Sequence, residues 1–283
     1  MKRYFALLSL CLFVFGCLSG CIGTTDDPTK DPTDGTLPVL NAVTFSIGKA
    51  DATLIWTAEH AILIDAGEIE DAAEILRYMQ RKGIAKLDAF IITHFDKDHV
   101  GGASGIIEGT AIDRIYATYD SKVSAEVDAY RAALTAKSIT PTVVREKTAV
   151  SYGDIRLVIY PPHEESYSVK ESNNSSLAVH MTYGENRFLF AGDAEEIRIA
   201  ELLTEDGLAC DLMKVPYHGN DLENLPALLA LCKPTWGIVT CSDKNPEEQG
   251  KMTALREADV TVFLSRHGDI EFTSNGKKIT VTQ

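Results

Sequence analysis

Two hydrophobic rhythms alternate along the chain from residue 39 onward. Short apolar or alternating stretches at 42–47, 52–56 and 61–64, separated by glycine or charged turns, carry the period of two that a strand imposes and predict an antiparallel meander. Residues 69–81 then place Ile, Ala, Leu and Met at helical spacing and stop at Gly83, which predicts a helix. Residues 87–93 are almost continuously apolar, the pattern of an inner strand covered on both faces. A strand at 112–118 and a helix at 122–137 follow, the helix ended by Pro141.

The second half repeats the theme. Strands are predicted at 155–160, 176–181, 187–190, 212–215, 237–240, 260–264 and 270–273, with helices at 194–203, 222–231 and 252–258. Two strand-rich halves, each ending in helices, suggest two packed sheets with helices outside. No short repeat and no second linker interrupts residues 39–283, so the pattern describes one α/β domain.

The start of the chain follows other rules. Lys2 and Arg3 precede an apolar run at 4–15 broken only by Ser9, then Leu18, Ser19, Gly20 and Cys21. A charged start, a short apolar core and small residues at the end make a secretory signal over residues 1–21. The run falls short of the roughly 20 residues a membrane-spanning helix needs. The tetrapeptide resembles the lipobox of bacterial lipoproteins, which implies cleavage before Cys21, a lipid on its sulfur, and a protein held at the outer face of a membrane. Residues 22–38 are polar and carry Pro28, Pro32 and Pro38 without apolar period, the composition of a flexible tether.

Composition then limits the function. Lys and Arg number 27 against 41 Asp and Glu, a net charge of −14. Such a charge repels polyanions at long range and weighs against a broad nucleic-acid groove. Of six cysteines, Cys210, Cys232 and Cys241 lie outside the signal, an odd number that argues against a disulfide scaffold. They read as buried thiols.

The chemistry is concentrated directly after the buried strand. Thr93 is followed by His94, Asp96, Asp98 and His99, then Gly101 and Gly102. Two imidazoles and two carboxylates within six residues, at a strand end where the backbone turns, are a donor set suited to Zn²⁺ or Mn²⁺. The glycines allow a sharp turn into the next helix. Asp193, after an apolar strand and Gly192, is placed to emerge at a strand end, where it could serve as a metal ligand, a helix N-cap, or both.

The segment from His94 to His99 resembles the His-x-[His/Asp]-x-Asp-His signature of the metallo-β-lactamase superfamily. Aspartate in its third place and the Gly-Gly after it are closest to the branch of the competence protein ComEC. Further motifs similar to that branch run in order at 48–52, 63–67, 173–177, 190–193 and 214–220. The resemblance implies an αββα four-layer sandwich with its site at the shared edge of both sheets. It implies one or two divalent ions, Zn²⁺ or Mn²⁺. His94 and Asp96 would bind one; Asp98 and His99 would bind a second or orient water. Asp193 would bridge them, and His218 would be a ligand or proton shuttle. Asp65 and Asn174 would support the ligands from behind, and Asp51 is the weakest match. The chain departs from the pattern at Tyr217 and Asn220, where the branch has His and Ser. His267 precedes Gly268 in an expected turn, and His180 is expected within a strand.

The implied activity is metal-assisted hydrolysis, with Asp98 holding or deprotonating a water and Tyr217 or His218 steadying the developing charge. The branch points to a phosphodiester, either single-stranded DNA or a small diester, with Lys97 and Lys214 as local positive charge. Hydrolysis of a lactone, ester or amide is the alternative within the same fold. A binding lipoprotein that keeps the metal without turnover is the alternative outside enzymes. No protein partner is legible in the sequence.

Overall fold

Neighbouring residues of the central strands face different layers. Leu54, Leu63, Phe90 and Ile92 pack with Ile75, Met79, Ile106, Val127 and Leu134 of flanking helices. Ile55, Ile62, Ile64, Ala89 and Ile91, the residues between them, pack instead against Leu157, Val179, Met181, Phe188 and Phe190. This is the period of two realised in three dimensions: one face of the strand row meets helices, the other a second sheet. The strand that reads as an unbroken apolar run, Ala89–Ile92, is buried on both faces for that reason.

The computed structural model describes residues 37–283. The first sheet orders its strands Ile279–Thr282, Ile270–Ser274, Leu40–Thr44, Thr53–Trp56, Ala61–Ile64, Ala89–Ile92, Ile115–Ala117 and Thr142–Val143. The second runs Thr261–Leu264, Trp236–Val239, Leu212–Lys214, Asn186–Phe190, Ala178–Tyr183, Ile155–Tyr160 and Thr148–Tyr152. Helices Ala72–Arg81, Ala103–Gly109 and Ala125–Lys137 cover the outside of the first sheet. Helices Glu196–Leu202, Leu225–Cys232 and Gln249–Glu257 cover the outside of the second. The four layers are the expected αββα sandwich.

Each sheet is antiparallel on one side and parallel on the other. Ala61–Ile64, Ala89–Ile92 and Ile115–Ala117 run parallel in the first sheet. Asn186–Phe190, Leu212–Lys214, Trp236–Val239 and Thr261–Leu264 run parallel in the second. The carboxyl ends of parallel strands in α/β folds open crevices in which ligands bind. Asp65, Thr93 and His94 follow strands of the first sheet at that end; Asp193, His218 and Thr240 follow strands of the second.

The sheets approach closely there. Leu177 N–H donates to Thr93 O at 2.9 Å, a bond from one sheet to the other. Gly192 has φ +54, and a Cβ on it would lie 2.9 Å from Thr93 Cβ and 3.1 Å from Ser176 Cβ. Both the left-handed backbone and the crowding require glycine at this meeting point.

The helix starts differ from the sequence pattern in one consequential place. The predicted helix at 122–137 begins only at Ala125, capped by the Ser124 hydroxyl accepting from Val127 N–H. Lys122 is thereby left in the preceding loop. Three strands lack a clear signal: Thr142–Val143, Thr148–Tyr152 and Ile279–Thr282 are edge strands, largely exposed and threonine- or serine-bearing. Residues 1–21 with Cys21, and most of the tether at 22–38, lie outside the described residues. Leu37 N–H donates to Asn275 O at 2.7 Å, and Tyr183 donates its hydroxyl to Pro38 O. No helix among the described residues is long and apolar enough to cross a membrane. Cys210, Cys232 and Cys241 are buried and unbridged.

Candidate metal centre

Three imidazoles are bonded through Nδ1 in the same sense. His99 Nδ1 lies 2.8 Å from Asp65 Oδ2. Thr93 donates its hydroxyl to that same oxygen at 2.7 Å, so it accepts from His94 Nδ1 at 3.1 Å. Thr240 likewise donates to Asp51 Oδ1 at 2.5 Å and accepts from His218 Nδ1 at 2.8 Å. These bonds make Nδ1 the donor in each ring and turn the three Nε2 atoms inward, where each can offer a lone pair once it carries no proton. A buried oxygen acceptor behind each ring is the arrangement that orients metal-binding histidines.

The inward atoms converge. His218 Nε2 lies 3.0 Å from Asp193 Oδ2, 3.2 Å from Asp98 Oδ2 and 3.4 Å from His99 Nε2. His99 Nε2 is 3.3 Å from Asp193 Oδ1. One donor atom each from Asp51, His99, Asp193 and His218 falls within 4.8 Å of all the others. His94 Nε2 is buried without a hydrogen-bond partner, 3.9 Å from Asp96 Oδ2. An orphaned buried nitrogen facing a carboxylate is costly unless something binds it. The donor set of imidazole and carboxylate therefore fits a divalent ion.

Charge supports the same reading. Burial, then the neighbouring His99, push His94 down to about 4, so its ring is neutral. Burial also opposes charge on His99, but Asp193, Asp65 and Asp51 outweigh it and hold that ring well above its ordinary value. His218 is driven up to about 10 against the same penalty, by Asp193 and Asp51. Asp193 is held well below the carboxylate range because His218, His99 and Lys214 outweigh its burial. Protons on His99 and His218 thus stand where a cation would stand, and metal binding releases such protons.

The backbone at the site is unusual. Tyr217 and His218 both take left-handed φ, +58 and +51, and Asp65 has φ +56. Three non-glycine residues in that region are stored strain, which surrounding contacts must hold in place. Buried Lys251 is one such contact: its Nζ donates to Pro216 O at 2.8 Å, just before the strained pair. Gly101 and Gly102 have ordinary φ of −54 and −76, so the sharp-turn reading is corrected. What demands glycine is proximity, since a Cβ on Gly102 would lie 2.2 Å from Ala66 O.

The structure gathers His94, Asp96, Asp98, His99, Asp193 and His218 into one place, with Asp65 behind His99. Asp193 does not cap the helix Glu196–Leu202, whose N-cap is Glu195. Asn174 does not touch this cluster; its amide donates to Val169 O and accepts from Arg198 N–H. Tyr217 sits at the mouth of an open cleft of about 360 Å³ above the cluster. His267 is exposed in the turn Ser265–His267, and His180 is bonded to Ala209 O within its strand. Asp51 is far more central than its sequence match suggests, in contact with Lys214, Thr240 and His218. Lys214 is buried between Asp51 and Asp193, and Lys97 points to Glu68 at 3.0 Å. Neither supplies free positive charge to the cleft, which corrects that expectation. Thr93 and Thr240 were unmarked in the sequence, although each directly follows an apolar strand.

The metallo-β-lactamase superfamily description matches residues 47–234. ComE operon protein 3 of Bacillus subtilis (strain 168) is 23% identical over 203 residues, 70% of this chain and 26% of that protein. Recombination protein 2 of Haemophilus influenzae is 27% identical over 214 residues, 74% of this chain and 25% of that protein. The chain therefore spans about a quarter of the length of the curated relatives it matches. Among solved structures, the metallo-beta-lactamase fold protein YhfI of Bacillus subtilis superposes with TM-score 0.57 at 13% identity, covering 82% of this chain and 99% of that one. A variant of the CmlA beta-hydroxylase superposes with TM-score 0.53 at 15% identity, covering 85% of this chain and 54% of that one. Both likenesses concern the fold.

Proposed function

The chain belongs to the metallo-β-lactamase superfamily, and from that membership and its buried centre we propose that it is an exported, lipid-anchored, metal-dependent phosphodiesterase. The observation that carries the reading is the convergence of His99 and His218 Nε2 on the Asp193 and Asp98 carboxylates, with the orphaned Nε2 of His94 beside Asp96, at the floor of an open cleft. One or two divalent ions, Zn²⁺ or Mn²⁺, would be held by His94, Asp96, Asp98, His99, Asp193 and His218. Such an ion, when bound, polarises the scissile group and lowers the pKa of a water.

The chain's own residues do the rest. Asp65, Thr93, Thr240 and Asp51 fix the rings, so no reorganisation is needed when substrate arrives. Asp98 lines the cleft; despite burial, His218 beside it holds it down to about 2. A carboxylate that acidic is a poor base at neutral pH. It orients the attacking water by accepting its hydrogen bond. His218, with Nδ1 held by Thr240 and Nε2 between Asp98 and Asp193, is committed to the ion when one is bound, so the ligand role and not the proton-shuttle role fits its geometry.

Single-stranded DNA or a small phosphodiester is the favoured substrate. The relatives' ComEC-type motifs and one relative's name, a recombination protein, support it. The signal at 1–21 and the lipid on Cys21 would hold the enzyme at the outer face of a membrane. The test is turnover by the purified full chain, loaded with Mn²⁺ or Zn²⁺. Bis(p-nitrophenyl) phosphate and labelled single-stranded DNA are assayed beside a lactone and a β-lactam. Cleavage of either phosphodiester, lost in His94→Ala, is the expected result; turnover of the lactone alone would replace this reading with the ester or lactone alternative.

A further inference from the structure

The whole chain carries −14, yet three lysines from distant segments meet at the cleft mouth. Lys49 comes from the loop before Asp51, Lys122 from the loop before the helix Ala125–Lys137, and Lys170 from the turn before the short helix Glu171–Asn174. Like charges do not gather without a reason. Lys49 Nζ and Lys170 Nζ lie 5.8 and 5.9 Å from the centroid of the same ring, that of Tyr217. An aromatic face attracts ammonium groups at this range. The ring sits at the one position where the chain has Tyr in place of the branch's His, held by a left-handed backbone.

Each ammonium also has a polar partner. Lys49 donates to Asn220 Oδ1 at 3.0 Å, Lys122 donates to Asp96 Oδ1 at 2.5 Å, and Lys170 lies 3.6 Å from Glu195 Oε1. These partners orient the lysines without removing them from the mouth. Of the four acids lining the cleft, Asp96, Asp98 and Asp193 belong to the metal cluster below and Glu171 does not, so with an ion in place three lysines face one free carboxylate and the mouth keeps a cationic excess.

We propose that Lys49, Lys122 and Lys170, two of them gathered by the Tyr217 ring, form a rim that takes the phosphates flanking the scissile one. The preferred substrate is then an oligonucleotide strand, and an isolated diester fills only part of the site. This rests on the phosphodiesterase reading for what is cut; the rim's binding of a strand stands independently of turnover. It also reconciles an acidic protein with a polyanionic substrate: the global charge repels at long range, while the rim acts within roughly the 8 Å over which physiological salt leaves charges unscreened.

The experiment is equilibrium binding of fluorescently labelled hexathymidylate to the Mn²⁺-loaded full chain across a salt series. Three phosphate contacts on a single strand predict that log Kd rises with log salt at a slope of about 2. Lys49→Met/Lys122→Met/Lys170→Met should bind about tenfold or more weakly at low salt, with that slope falling toward zero. Tyr217→Leu should lose part of the slope and Tyr217→Phe should restore it, because the ring holds the ammoniums and the hydroxyl does not. Should the triple variant fail to fold by circular dichroism, Lys170→Glu carries the same test, since that side chain is 59% exposed. An unchanged slope in the variants, or no binding by wild type, overturns the rim even if a small diester is cleaved. A lysine-dependent slope without any turnover supports the rim and overturns the phosphodiesterase reading.

Discussion

The Thr240 hydroxyl stands between His218 and Asp51, accepting from the ring at 2.8 Å and donating to the carboxylate at 2.5 Å. Asp51 is thereby linked to the metal centre through a neutral group. Its other oxygen meets the Lys214 ammonium. The first sheet repeats the device, with Thr93 between His94 and Asp65. Each sheet thus supplies a threonine at the end of a parallel strand that orders one imidazole against one buried carboxylate.

From this relationship, Thr240→Val should weaken metal binding about 10- to 100-fold, the usual effect of removing an outer partner of a histidine ligand. The fold should lose only about 1–3 kcal/mol, the cost of an unsatisfied buried group. Competition with a fluorescent chelator measures the first and urea unfolding the second. Thr240→Ser, which keeps the hydroxyl, should restore affinity; if Val and Ser behave alike, the relay is not what orients His218.

Removing a ligand should cost metal and spare the fold. Asp98→Ala, His99→Ala and Asp193→Ala are each expected to lower the metal content of the purified protein while far-ultraviolet dichroism stays near native. Three separate apolar clusters support the sandwich without the centre. Asp193→Ala should be the most destabilising of the three, because buried Lys214 and His218 both lose a carboxylate there. Full metal occupancy in all three variants would remove the ligand assignment.

Much of this centre is legible in the sequence, and the reason is local. His94 and Asp96 sit on the loop after one strand, and Asp98 and His99 on the short helix Lys97–Val100 that follows at once, so spacing alone brings them together. Asp193 and His218 follow strands in the same way, and the motifs around them resemble a known family. Asp51 and Thr240 are less legible because their partnership spans 189 residues, and nothing near either one announces it. The lysine rim is illegible in the sequence for a different reason. Lys97 and Lys214 are close to the ligands along the chain, but Lys97, at the start of a short helix, turns toward Glu68, and Lys214, at the end of a strand, is buried between Asp51 and Asp193. Lys49, Lys122 and Lys170 are far apart in sequence, and a helix predicted three residues too early concealed Lys122. Edge strands such as Thr148–Tyr152 lack a buried face on which a pattern could be written.

The anchor gives a separate expectation. Cys21→Ser should leave the precursor uncleaved or free of lipid, since the sulfur is the acyl acceptor the lipobox resemblance assigns. Detergent phase partitioning of the expressed protein reads this directly: wild type goes to the detergent phase, and the variant shifts toward water. Equal partitioning of the two would remove the lipoprotein reading.

Lys251 sets the pH dependence of stability on the second sheet's side. Its ammonium is buried beneath the Pro216–His218 turn, and burial, with the Lys214 charge behind it, pushes it down to about 7. The folded value lies below the unfolded one near 10.5, so the unfolded chain binds more protons between those two values. Stability from this residue therefore rises as pH climbs from about 7 toward 10.5, and its charge cost is fully present below that window. At about 1.36 kcal/mol per pH unit the cost reaches at most about 5 kcal/mol. Lys251→Met removes the charge and the bond to Pro216 O together. Relative to wild type, the variant should be most favoured at pH 6 and lose that advantage by pH 10, where the neutral amine still donates to the carbonyl. Urea midpoints of the two proteins at pH 6, 8 and 10 give the comparison, and other groups cancel in the difference. A gap that stays constant across that range would mean that Lys251 keeps its proton in the folded protein, with the second-sheet turn held by a charged lysine throughout.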